Sequence, residues 1–248
     1  MTYKMTLNDK GLLSYNKKNM SLVVNKEKIS KKTNYNWILG SSLNFNDIAE
    51  KKTPWIIAVG GGKGGVGKTL ISANVGAYLA SLGLKVLVLD MDLGGANLHS
   101  HLGLEKPNLN ILSTLKQQEF DLKDLSIETG VNGLYLMPGG QEERWLSKNY
   151  NERDYFKFLS LSILNAHSNF EFDVVLVDLG AGNSQYTIDL FLLAHTGVVV
   201  SLPESTSLEN SYAFIKSIFW GIISNIGFQL NMPEKAEQVL ECLFPKKR

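Results

Sequence analysis

The chain has 248 residues, is 44% hydrophobic and carries a formal charge of +1 at pH 7. That length supports one domain with a sizeable core plus an extension, and the near-neutral balance gives no global signal for nucleic acid. A single cysteine, Cys242, excludes an internal disulfide and a C-x-x-C metal or iron–sulfur site, and points to a reducing compartment.

Residues 1–53 hold ten lysines and four acids, net +6, and the remaining fifteen basic and twenty acidic residues leave −5 for the rest. The stretch is rich in Lys, Asn and Ser, so it is expected to be a flexible extension. If it docks a partner or an anionic surface, Trp37 and Phe45 are the expected anchors. No N-terminal apolar leader occurs and no uninterrupted apolar run reaches membrane-spanning length, so a cytoplasmic protein is expected.

The domain is expected over 54–248, and its elements alternate. Trp55–Val59 is an apolar strand bounded by Pro54 and Gly60. A helix follows from near Gly67, with Leu70, Ile71, Val75, Tyr78, Leu79 and Leu82 at helical spacing and Gly83 at its C-cap. Further strands are predicted at 85–89, 133–137, 172–177 and 197–202, with helices at roughly 107–118, 151–166 and 184–195 between them. Continuous apolar strands separated by helices predict an α/β fold, a mostly parallel doubly wound sheet flanked by helices. Ligands of such sheets bind beyond the carboxyl ends of the strands.

Between the first strand and helix lies Gly60-Gly61-Gly62-Lys63-Gly64-Gly65-Val66-Gly67-Lys68-Thr69, and Gly62 to Thr69 fits G-x-x-x-x-G-K-[ST]. Glycines let backbone N–H groups crowd an anion, so Gly62, Gly64, Gly65, Val66 and Gly67 are the predicted cradle of a triphosphate. The helix N-terminus adds positive potential. Lys68 reaches the β- and γ-phosphates, and the Thr69 hydroxyl is a Mg²⁺ ligand. ATP and Mg²⁺ are therefore the expected cofactors.

Two acidic segments follow at strand ends. In Asp90-Met91-Asp92-Leu93-Gly94-Gly95-Ala96-Asn97, one carboxylate can serve a Mg²⁺ shell and the other can orient a water. In Asp173–Gly182, Asp178 closes an apolar strand, which is the Walker B arrangement. His99 and His101 form an H-x-H pair without an evident third ligand, and are read as ordinary surface or helix-end residues. Thr206 and Glu209 form a T-x-x-E capping box. Residues 213–228 are apolar but too short and interrupted for a membrane span, and are read as a core helix with one face at an interface. Phe228–Asn231 reads as a final short strand, and 236–248 as a weakly amphipathic packing helix with a basic end.

Lys63 is not required by the general phosphate-loop pattern. With K-G-G-x-G-K-[ST] and both acidic segments, residues 55–220 resemble the MinD/ParA family of P-loop ATPases. D-L-G-G-A-N, D-L-G-A-G and P-E-S-T-S resemble its branch regulating flagellar number and placement. The resemblance implies that Lys63 crosses a dimer interface to the partner's nucleotide and that Asp92 positions the attacking water. It also implies that Asp90 lies in the metal environment, Gly182 contacts the γ-phosphate and Asn231 meets the base.

The implied activity is slow, dimer-dependent ATP hydrolysis driving a dimerisation switch. The implied partners are a second copy and a regulatory protein such as a flagellar GTPase or activator, with peripheral membrane contact a weaker expectation. Two alternatives stay open: a shortened, non-hydrolysing binding module of the same fold, and a ParA-like DNA-partitioning ATPase, which the −5 balance disfavours.

Overall fold

The computed structural model describes residues 6–7, 13–14, 53–92, 95–107, 125–139, 159–160, 162–164, 166 and 171–244. The chain divides into two units, 1–34 and 35–248. In the first, β1 (Thr6–Leu7) pairs antiparallel with β2 (Leu13–Ser14). The anchors expected at Trp37 and Phe45, and the helix expected at 107–118, lie outside the described residues.

The second unit is built on a six-stranded sheet. Its strands are β3 (Trp55–Gly60), β4 (Val86–Met91), β5 (Ile127–Glu128), β6 (Leu134–Met137), β7 (Val174–Leu179) and β8 (Thr196–Val199). Their order is β5-β6-β4-β7-β3-β8, and every pairing is parallel except β5 with β6. The short edge strand β5 gave no sequence signal, because two residues are too few to show a period.

The strands alternate between two cores. Ile56, Ala58, Leu87, Leu89, Val175 and Val177 face one, with Phe214, Ile218 and Leu190 from helices. Val59, Val86, Val88, Val174 and Leu176 face the other, with Ala73, Ala80 and Leu98. Residues buried on both faces explain why these strands read as continuous apolar runs. Each fully buried Leu, Ile or Val contributes about 1.5–3 kcal/mol.

The helices are α1 (Lys68–Ser81), α2 (Leu98–His101), α3 (Gln185–Leu193), α4 (Ser205–Gln229) and α5 (Pro233–Leu243). Helix α1 ends as expected, with Gly83 at φ 86° donating its N–H to the Ala80 carbonyl.

Asp90 and Asp178 come at the carboxyl ends of β4 and β7 as expected, as register partners one residue before Met91 and Leu179. Two expectations are corrected. The strand expected at Phe228–Asn231 is the end of α4 and the turn after it, with Asn231 at φ 52°. The capping box is not formed: Glu204 is the N-cap, no side chain caps the helix, and Thr206 is already in its first turn. Ser207 instead takes the Leu202 N–H at 3.0 Å, fixing the entry to α4 from the other side.

Candidate nucleotide-binding site

The glycine loop runs from the end of β3 to the start of α1, at the carboxyl edge of the sheet. Gly65 and Gly67 have φ of 75° and 96°, which only glycine adopts at little cost. Elsewhere the loop needs glycine for closeness. A β-carbon on Gly61 would lie 2.6 Å from the Val200 carbonyl oxygen, and one on Gly62 would overlap the Asn210 carbonyl oxygen of α4. The loop is thus wedged between α1 and the first turns of α4. Gly182, at φ 99°, donates its N–H to the Gly61 carbonyl at 3.2 Å, tying the 180–182 turn to the loop.

Lys68 is the first residue of α1 and only 6% exposed. Its Nζ donates to the Lys63 carbonyl at 3.4 Å, so the ammonium curls inside the loop. Lys63 points the other way. Its Nζ donates to Glu204 Oε2 at 3.1 Å and to Thr206 Oγ1 at 3.0 Å, at the exposed rim. Two lysines five residues apart therefore have opposite tasks: one is buried with the loop, the other is held outside by α4.

Asp178 lies within reach of the Lys68 charge, and Asp90 faces Asp178 across the adjacent strand. Asp178 Oδ1 accepts from Ser72 Oγ at 2.8 Å, and Asp178 also takes a hydrogen bond from Thr69. Burial raises its pKa above 3.8, against the pull of Ser72, Thr69 and Lys68. Asp90 stands opposite on the adjacent strand, and burial pushes it up to about 6 with the Asp178 charge adding to the shift. Both Asp90 oxygens accept backbone N–H groups, Oδ1 from Asp92 at 3.2 Å and Oδ2 from Leu98 at 3.0 Å. In this structure Asp90 therefore shapes the segment leading to α2. Asp92 lies against the other acidic segment, since a β-carbon on Gly180 would be 3.5 Å from its Oδ1.

Two buried, mutually repelling carboxylates with raised pKa values, next to a threonine hydroxyl, form a donor set that a hard divalent cation would stabilise. Thr69 and Asp178 fit that ion, with Asp90 beside them. No group of three His, Cys, Asp or Glu side chains poised for a metal occurs among the described residues, so His99 and His101 form no such centre.

Three contributors were missed in the sequence. Ser72 lies one turn beyond Lys68 on the buried face of α1, and that i, i+4 spacing was a usable signal. Glu204 and the Leu98 N–H gave none, because their roles depend on contacts 141 and 8 residues away in sequence. Asn231 is not brought to the loop. It lies 21 residues beyond Asn210, which touches Gly62, and that is roughly 30 Å along a helix.

An AAA domain family matches residues 55–225. The chain belongs to that family, as a P-loop ATPase of the MinD/ParA kind, a family whose members in general hydrolyse ATP. Within it the chain stands close to flagellar regulators. It is 34% identical to the antiactivator FleN of Pseudomonas aeruginosa over 166 residues, covering 65% of this chain and 55% of that protein. It is 35% identical to the flagellum site-determining protein YlxH of Helicobacter pylori over 161 residues, covering 64% and 52%. The chain thus spans about half the length of these two relatives. Among solved structures, MinD of Pyrococcus horikoshii complexed with Mg-ADP superposes with a TM-score of 0.54 at 29% identity, covering 64% of this chain and 63% of that one.

Proposed function

We propose that this protein is a Mg²⁺-dependent ATPase acting as an ATP-driven dimerisation switch in spatial regulation, most specifically of flagellar number or placement. One observation carries the reading: Lys68, Thr69 and Asp178 gather at the loop, with Asp92 against Gly180 near Asp178, while Lys63 is turned away from it. Gly62 to Gly67 would hold the triphosphate through backbone N–H groups, and Lys68 would neutralise its β- and γ-oxygens. Thr69 and Asp178 would hold the Mg²⁺, which supplies charge neutralisation. Asp92 would place the water, and the Gly182 N–H would exchange Gly61 for the γ-phosphate. Lys63 would leave Glu204 and enter a second copy's site, where a trans cation stabilises the transferring phosphoryl group. Its present ion pair is solvent-exposed, so releasing it costs little, under about 1 kcal/mol.

Light scattering with ADP and with a non-hydrolysable ATP analogue tests the switch. The mass with the analogue should be twice that with ADP, and Lys63→Ala should bind nucleotide without doubling. Asp92→Ala should keep affinity and double, but hydrolyse about 100-fold more slowly. Wild-type turnover by Asp92→Ala removes the role assigned to that carboxylate.

The second reading, a non-hydrolysing binding module, is favoured by the distance of Asn231 from the loop. Calorimetric titration with Mg-ATP decides: no heat at high concentration favours the module.

A further inference from the structure

Ser72 is fully buried on the inner side of α1, and its Oγ donates to Asp178 Oδ1 at 2.8 Å. A serine inside a helix ordinarily gives its proton to a carbonyl one turn back or to water. This one gives it to a carboxylate on β7, 106 residues away in sequence. Its neighbours on the buried side of α1 are small: Ala73, Gly76 and Ala80. Alanine would suit the position and is the better helix former, so neither the helix nor its packing calls for the hydroxyl.

Thr69 also donates to Asp178. It stands three residues before Ser72, hence on the same face of α1. The two hydroxyls differ in what else is asked of them. Thr69 sits beside the loop and would share its oxygen with the Mg²⁺. Ser72 lies about one turn deeper, at 0% exposure, with no surface open to nucleotide or ion. It can act on them only through Asp178.

Asp178 has reason to be held. It is 1% exposed, and Asp90 faces it across the ladder. Without the Ser72 bond its carboxyl group would be freer to turn toward the Lys68 charge. With Oδ1 tied to α1, the other oxygen is the one left to face a cation. One oxygen suits Mg²⁺, which is small, demands near-octahedral geometry and keeps several waters. Ca²⁺ is larger, and readily takes both oxygens of one carboxylate in a looser shell.

We propose that Ser72 is a positioning residue for the divalent cation: by holding Oδ1 it presents Asp178 through its other oxygen alone, and so favours Mg²⁺ over Ca²⁺. The inference rests on the Mg²⁺–nucleotide reading above. It goes beyond that reading by giving the choice of cation to a side chain that touches neither ion nor nucleotide.

Calorimetric titration of the full chain with ADP, in EDTA and over a series of Mg²⁺ or Ca²⁺ concentrations, tests this without turnover. Ser72→Ala should bind ADP in EDTA as the wild type does. The Mg²⁺ concentration at which ADP binding tightens should rise about 10-fold. The corresponding Ca²⁺ concentration should rise less, so that the preference for Mg²⁺ narrows. Ser72→Cys, of similar size but a weak donor, should behave like Ser72→Ala. In an Asp178→Asn background, Ser72→Ala should shift the Mg²⁺ requirement no further, because the two act through one bond.

An unchanged Mg²⁺ requirement in Ser72→Ala overturns the proposal and leaves the nucleotide site standing. So does a loss of ADP affinity that is equal in EDTA and in Mg²⁺, which is what damage to the loop or helix alone would give. A further shift in the Asp178→Asn background overturns the route through Asp178, and equal shifts for the two ions overturn the selectivity. A wild type that gains no ADP affinity from Mg²⁺ removes the proposed function and this role together.

Discussion

The centre of the sheet and helix α4 treat apolar and polar groups in opposite ways. In β4 and β7 every residue is buried, and the two acids among them are hydrogen-bonded or closely opposed by charge. On α4 the polar residues Ser207 and Ser211 are buried while Phe219, Trp220, Ile222 and Ile226 face outward. The first pattern keeps buried charge at the cost of desolvation, which a single domain retains where a cationic ligand is to be bound. The second leaves apolar surface in water, which a chain retains where another surface is to cover it. The two regions share the core around Phe214 and Ile218, and the loop beyond β3 meets α4 where Asn210 closes on Gly62 and Glu204 holds Lys63.

That meeting point can be broken first. Gly62→Ala would drive a β-carbon into the Asn210 carbonyl, so the loop or the first turns of α4 must shift. A loss of about 3 kcal/mol is expected from chemical denaturation. Lys68→Ala acts on the centre alone. Losing two charge-assisted hydrogen bonds should weaken Mg-ATP binding by about 100-fold or more, read by calorimetry, with the fold retained.

A pH experiment sharpens the comparison at the sheet edge. His195 is stacked on Trp55 with ring centroids 4.8 Å apart, and its Nδ1 accepts the Ile56 N–H at 3.0 Å. Burial lowers its pKa below 6.5, so it stays neutral in the fold. The unfolded chain takes up a proton that the folded chain refuses. Stability from this group is therefore whole above pH 6.5 and is lost as pH falls toward the depressed folded value. His195→Asn keeps an acceptor that gains no proton, and urea midpoints measured above and below pH 6.5 should show a smaller acid loss than in the wild type.

The smallest effect on stability is expected at the rim. Glu204→Gln should change it by less than about 0.5 kcal/mol, since the pair with Lys63 is exposed. It should nonetheless let the ATP analogue double the mass at lower protein concentration, because Lys63 is then freer to leave.

The legible parts of the site are those whose chemistry is written in consecutive residues. Gly61 to Thr69 announced a phosphate loop because glycine spacing fixes both the turn and the backbone approach. The continuous apolar runs of β3, β4 and β7 announced a sheet covered on both faces. Where the reading failed, it failed at ends and at long range. Thr206 and Glu209 matched a capping box, yet Thr206 accepts from Lys63 instead. Phe228–Asn231 matched a strand, yet α4 runs on to Gln229 and a turn follows, since the preceding helical run and its packing on α5 outweigh four residues of β pattern.

By itself, then, the sequence determined the loop, the order of strands and helices, and the three aspartates at strand ends, since each rests on local spacing and residue type. Only the tertiary structure decided which lysine is buried and which is tied to Glu204, that Asp90 gives both oxygens to backbone N–H groups, and which face of α4 is left bare. Those outcomes depend on segments remote in the chain competing for the same space and the same hydrogen bonds, and no local pattern records the winner.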